Sequence, residues 1–157
     1  MQRFAVDRML GKLAKWLRVL GHDVVYLRQA KDKEVLASLE EGRILVTRDR
    51  RAKPWHEYGK VFLVKANNPK EQLREVIQGL NLTLLDNALF SRCLKCNSVL
   101  ETASREEVWE QVPEYIWLTH LHFRRCKVCG QIYWFGSHSE KMRQQLNEIL
   151  ANLKQNP

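Results

Sequence analysis

No stretch of this chain approaches the roughly 20 consecutive apolar residues of a membrane-spanning helix, so no span is expected in its 157 residues. A signal peptide is not expected either, because the N-terminal basic residues run into an amphipathic pattern and not a continuous apolar core. There are no internal repeats beyond two cysteine pairs, and no low-complexity tract. Histidine forms no set: His22, His56, His120 and His122 have neither ligand nor triad spacing. Acidic residues are the scarcer charge, 18 against 26 Lys plus Arg, for a formal net charge of +8. The imbalance is mostly N-terminal, with 17 basic and 11 acidic residues before Phe90, and 9 and 7 after it. A basic half suggests an anionic partner, nucleic acid first, though solubility alone also favours excess charge. A cytoplasmic location follows from these absences, and there thiols stay reduced.

Short apolar runs alternate with helical patterns. Phe4-Ala5-Val6 reads as a strand buried on both faces. Behind it Met9, Leu10, Leu13, Trp16, Leu17 and Leu20 recur at helical spacing, with Arg8, Lys12 and Lys15 as a basic stripe on the outer face. Gly21 closes that helix. Val24–Leu27 is a second strand, Val35, Leu36 and Leu39 mark a helix, Ile44–Val46 is a third strand and Val61–Val64 a fourth. Pro69 opens a helix that Gly79 closes. Strand alternating with helix predicts a parallel sheet with helices on its faces, an α/β class. The character changes near Phe90. Ile132–Phe135 reads as a strand, Ser137 to Glu140 has capping-box spacing, and Met142, Leu146, Ile149, Leu150 and Leu153 stripe a last helix. We divide the chain into residues 1–88 and 89–157.

Three carboxylates each follow a strand: Asp7 directly, Asp32 after one loop, Asp49 two residues on. Parallel strands share a carboxyl edge, where open α/β sheets place their sites. Carboxylates gathered there would repel unless a cation neutralised them, and hard oxygen donors suit Mg²⁺ or Mn²⁺. The plainer alternative is that Asp7 and Asp32 cap the helices that follow them. Thr47 either orients Asp49 through its hydroxyl or merely ends its strand, as Thr often does. Arg48, Arg50 and Arg51 crowd the same edge and, with Arg8, Lys12 and Lys15, suit a phosphate backbone.

Cys93-x-x-Cys96 and Cys126-x-x-Cys129 form two knuckles. Four reduced thiolates select tetrahedral Zn²⁺, and a closed shell of this kind holds structure and does no chemistry. A rubredoxin-like iron site has the same ligands.

Together DRMLGKLAKWLR with LGHD, then RILVTRDRR, SRCLKCN and RRCKVCGQIYWFGSH resemble the Mut-seven C-terminal RNase domain family. That family is a branch of the PIN-like nucleases with an attached zinc ribbon. The resemblance covers roughly residues 3 to 142. It implies a PIN-like three-layer fold with a parallel central sheet, then a four-cysteine zinc ribbon and a C-terminal helix. It also implies divalent-metal-dependent cleavage of RNA, with the family's acids on Asp7, Asp32 and Asp49. His138 is shared with the pattern and becomes a candidate substrate contact. PIN-like relatives often carry another acid two places after the last of these, where this chain has Arg51. The rival expectation is a non-catalytic RNA- or ribosome-binding zinc-ribbon protein.

Overall fold

The computed structural model describes residues 1–153, and its chain divides into two compact units, Met1–Asn97 and Ser98 onward. The first unit is an α/β domain. Its four strands are β1 (Arg3–Asp7), β2 (Asp23–Leu27), β3 (Ile44–Thr47) and β4 (Val61–Leu63), all parallel and ordered β2-β1-β3-β4. The helices are α1 (Gly11–Val19), α2 (Asp32–Glu40) and α3 (Pro69–Gly79). β1 lies between β2 and β3, and Phe4, Ala5 and Val6 are fully buried, as a run without polar alternation requires. Ala5, Leu27 and Leu45 pack with Leu39 and Val35 of α2. Side chains alternate across a strand, so Phe4 and Val6 face the opposite side. There α1 packs on β1 and β2 and against α3. Helices therefore cover both faces of the sheet.

The start of α1 departs from the sequence expectation. A 3₁₀ turn, Arg8–Leu10, separates β1 from the helix, and Met9 is exposed instead of joining the apolar stripe. The hydroxyl of Tyr26 donates to the Arg8 carbonyl at 2.7 Å, which fixes that turn. Gly11 makes room for it, since a Cβ there would stand 2.9 Å from the Tyr26 oxygen. At the far end Gly21 takes φ +87°, and a Cβ would meet the Ala88 carbonyl oxygen at 2.4 Å.

The second unit has an antiparallel sheet of β5 (Glu101–Ala103), β6 (Phe123–Arg125) and β7 (Ile132–Trp134). A short helix, α4 (Glu114–Thr119), and a long one, α5 (Ser137–Ala151), complete it. Ala103, Val108, Phe123 and Ile132 form its buried cluster, with Trp117 and Trp134 packed against it. Met142, Leu146 and Ile149 are buried on α5, as their spacing predicts. The expected capping box is not formed. Gly136 is the cap, and Ser139 Oγ accepts from its N–H at 2.9 Å. Among the described residues no helix is long and apolar enough to cross a membrane.

Candidate functional site

The strand order makes a crevice. From β1 the chain passes over one face, through α1, to β2; it then returns through α2 on the other face to β3, on the far side of β1. The chain leaving β1 goes to β2 and the chain leaving β3 goes to β4, on opposite sides, so they diverge at the carboxyl ends of β1 and β3, the position where open parallel sheets bind their ligands. Val6 pairs with Val46, so Asp7 and Thr47 are the next residues along that edge. Thr47 is buried and donates its hydroxyl to Asp7 Oδ2 at 2.7 Å. The Thr47 hydroxyl oxygen in turn accepts the backbone N–H of Asp49 at 3.0 Å. Thr47 therefore orients the side chain of Asp7, and of Asp49 only the backbone. Asp7 Oδ1 takes no hydrogen bond among the described residues.

The capping roles are exchanged relative to the sequence alternative. Asp7 caps nothing through its side chain, and Asp32 is the first residue of α2, one place after the cap position held by Lys31. Asp49 is the one that caps, accepting from Arg51 N at 2.9 Å at the head of the 3₁₀ segment Arg50–Glu57. The Arg51 guanidinium adds a fork, Nε to Oδ1 at 3.0 Å and Nη2 to Oδ2 at 3.0 Å. These bonds, with Arg8 nearby, hold the Asp49 carboxyl below its ordinary pKa. Asp32 is exposed and its side chain makes no hydrogen bond or ion pair among the described residues. The three carboxylates thus share a sheet edge, but their oxygens are not drawn into one tight group. Arg8, Lys12, Lys15 and Arg50 are exposed along or beside this edge, and Arg48 bonds Asn67. His138 is exposed in the first turn of α5, on the second unit.

Carboxylate oxygens are the donor type that a hard divalent ion takes, although among the described residues these three form no ready-made cluster. Asp7 keeps an unclaimed oxygen at the crevice, Asp32 is uncommitted, and Asp49 is held by an exposed and exchangeable partner.

The two cysteine knuckles share one local structure. In each, the residue after the second cysteine has positive φ, Asn97 at 73° and Gly130 at 74°, and donates its N–H to the first cysteine's carbonyl at 2.9 Å. Cys126 Sγ receives the Cys129 N–H at 3.4 Å and lies 2.8 Å from Ser98 Oγ. The Sγ atoms of Cys93, Cys96, Cys126 and Cys129 all lie within 4.8 Å of one another, a set that can hold a metal ion such as zinc. The sequence did not reveal what fastens the first knuckle. Arg18, buried on α1, donates to the carbonyls of Leu94 (2.9 Å) and Lys95 (3.2 Å). Asn97 accepts from Val24 N at 2.8 Å and donates to Asp23 Oδ1 at 2.7 Å. Asp23 also pairs with Arg43, and although burial raises its pKa, the bonds from Arg43 and Asn97 outweigh that and leave it lowered.

Comparison with known proteins agrees with these features. A human protein named exonuclease mut-7 homolog is 31% identical over 104 residues, which cover 60% of this chain and 12% of that protein. This chain therefore corresponds to a small part of that relative's length. No solved structure matches. A family model described as the Mut7-C RNAse domain matches residues 2–146. Those matches support a nuclease-type function, and with nearly its whole length matched, this chain belongs to the Mut7-C RNAse domain family.

Proposed function

We propose that the protein is a PIN-like ribonuclease that hydrolyses RNA phosphodiester bonds with a divalent ion held by Asp7, Asp32 and Asp49. The observation that carries this reading is Asp7 itself. One of its oxygens is fixed by Thr47 and the other is uncommitted, at the crevice between β1 and β3. Mg²⁺ or Mn²⁺ bound there would supply polarisation of the phosphodiester and a readily deprotonated water. Thr47 keeps Asp7 in one rotamer. Arg8, Lys12, Lys15, Arg48, Arg50 and Arg51 take backbone phosphates, which sets register without reading sequence. Asp32 stands at the head of α2. His138 is assigned substrate contact alone. Residues 1–88 carry the chemistry in this reading, and the ribbon and final helix, 89–157, hold a structural zinc on the four cysteines. The protein acts in the cytoplasm.

The test is cleavage of labelled RNA in Mn²⁺ and in EDTA. Cleavage is expected in Mn²⁺ only, and the Asp7→Asn/Asp49→Asn double variant should lose roughly a hundredfold or more. Equal cleavage in EDTA, or full activity of the double variant, overturns the mechanism. One observation favours a second reading, a non-catalytic RNA binder: Asp49 is already satisfied by Arg51 and by its capping bond. A binder would hold RNA equally well without divalent ions and with a steep salt dependence.

A further inference from the structure

The fork between Arg51 and Asp49 sits on a carboxylate that the proposed reaction needs for its ion. A guanidinium and a divalent ion compete for the same oxygens, so Asp49 cannot serve both fully. The pair is not locked in place: the Arg51 side chain is 90% exposed and Asp49 37% exposed, and exposed pairs exchange at little cost. The guanidinium fork fits a phosphate as well as it fits a carboxylate. Arg51 also stands at the edge where Arg8, Lys12 and Arg50 present further cations to a polyanion. An arriving RNA phosphate therefore offers Arg51 an alternative partner, and in taking it Arg51 uncovers Asp49.

We infer that Arg51 is an exchange latch: it covers Asp49 in the resting protein, and a substrate phosphate draws it off so that the carboxylate can hold the divalent ion. This rests on the metal-site reading above and deepens it, since it makes ion binding conditional on RNA. Linkage makes the effect reciprocal, so RNA and ion bind with positive coupling. Asp49 keeps its capping bond from the Arg51 backbone N–H throughout, so the segment Arg50–Glu57 need not unfold for the latch to open.

The experiment measures Mn²⁺ affinity, not cleavage, by the electron-paramagnetic-resonance signal of unbound Mn²⁺. It uses the full chain with its cysteine site loaded, with and without a phosphorothioate oligouridylate whose own Mn²⁺ uptake is subtracted. For the unaltered protein the oligonucleotide is expected to tighten Mn²⁺ about fivefold, the weight of an exposed ion pair. Arg51→Ala should bind Mn²⁺ at that tighter level without any oligonucleotide. Two further variants separate the latch from bulk charge. Lys53→Ala, at an exposed residue of the same 3₁₀ segment, removes the same charge and leaves the fork, and should bind Mn²⁺ as the unaltered protein does. Arg51→Lys keeps the charge and loses the fork, and should bind tighter. The latch is overturned if Arg51→Lys and the unaltered protein bind Mn²⁺ alike, or if Lys53→Ala tightens binding as much as Arg51→Ala. If none of these proteins binds Mn²⁺ more tightly than Asp7→Asn/Asp49→Asn does, the metal site itself fails and the latch falls with it.

Discussion

One hydroxyl ties the Asp7 carboxylate to the backbone of Asp49. Thr47 Oγ donates to Asp7 and accepts from the Asp49 backbone, in a buried position. Thr47→Val keeps the shape and removes both bonds, leaving a backbone N–H without an acceptor. A loss of about 1–3 kcal/mol in unfolding free energy is expected, with a fall in cleavage rate that Thr47→Ser restores. Denaturant titration and single-turnover cleavage check the two parts separately; a Ser variant as impaired as the Val variant would remove the hydroxyl from the argument. His22 makes a second case at this scale. It is 3% exposed, its Nδ1 accepts from Gln2 N at 3.3 Å, and Nε2 has no hydrogen-bond partner among the described residues. Burial, then the N-terminal amine and Arg92, lower its pKa from 6.5 to about 4. The folded protein thus refuses a proton that the unfolded chain accepts. The stability due to neutral His22 is complete above pH 6.5 and declines as pH falls from there toward about 4. Between pH 7 and pH 5 the loss is at most about 2 kcal/mol. His22→Gln, which keeps an acceptor for Gln2, should flatten that part of the profile in urea unfolding.

The elements show which signals a sequence carries. The four parallel strands were legible because each is a short apolar run bounded by turn residues, and the helices between them because their buried faces repeat at helical spacing. β5 and β6 were not legible. Three-residue strands such as Glu101-Thr102-Ala103 and Phe123-Arg124-Arg125 each bury one apolar side chain, too few to show a period. The fastening of the first knuckle was hidden for another reason. Arg18 lies in a basic helix and reads as solvated, yet it is buried because backbone carbonyls from β2 and from the knuckle converge on it. Asn97 combines two demands: a left-handed backbone, which short polar side chains tolerate, and a side chain bridging Val24 and Asp23. Asn97→Ala loses both and should cost about 2–3 kcal/mol. Asn97→Gly keeps the backbone preference and loses only the bridge, so it should fall between. Thermal unfolding gives the order, and zinc release to a chromophoric chelator should follow it. If all three proteins release zinc at one rate, the bridge does not support the knuckle.

At the scale of the whole molecule, chain order and charge were legible, while side-chain partnerships were not. Parallel strands put their carboxyl ends on one edge of the sheet, so Asp7 and Asp49 fall on that edge however the loops are built. What Asp49 does there depends on Arg51, two residues on, and no spacing rule announces a fork between neighbours. The charge argument is more robust because it sums over many residues. The +8 excess lies mostly before Phe90, and Arg8, Lys12 and Lys15 are all exposed. If these three meet phosphates, each releases counterions on binding, and for single strands the slope of log affinity against log salt falls by about 0.7 per contact. Replacing all three with Ala should therefore lower the slope by about 2 and weaken binding by a similar factor for RNAs of unrelated sequence. Filter binding at several salt concentrations, in Ca²⁺ to limit cleavage, measures both quantities. An unchanged slope would mean the RNA runs elsewhere, and a loss confined to particular sequences would mean these residues read bases. Arg8 lies in the 3₁₀ turn that directly follows Asp7, and Lys12 and Lys15 lie on α1 behind it, so an RNA bound along them would pass the carboxylate at the head of the crevice.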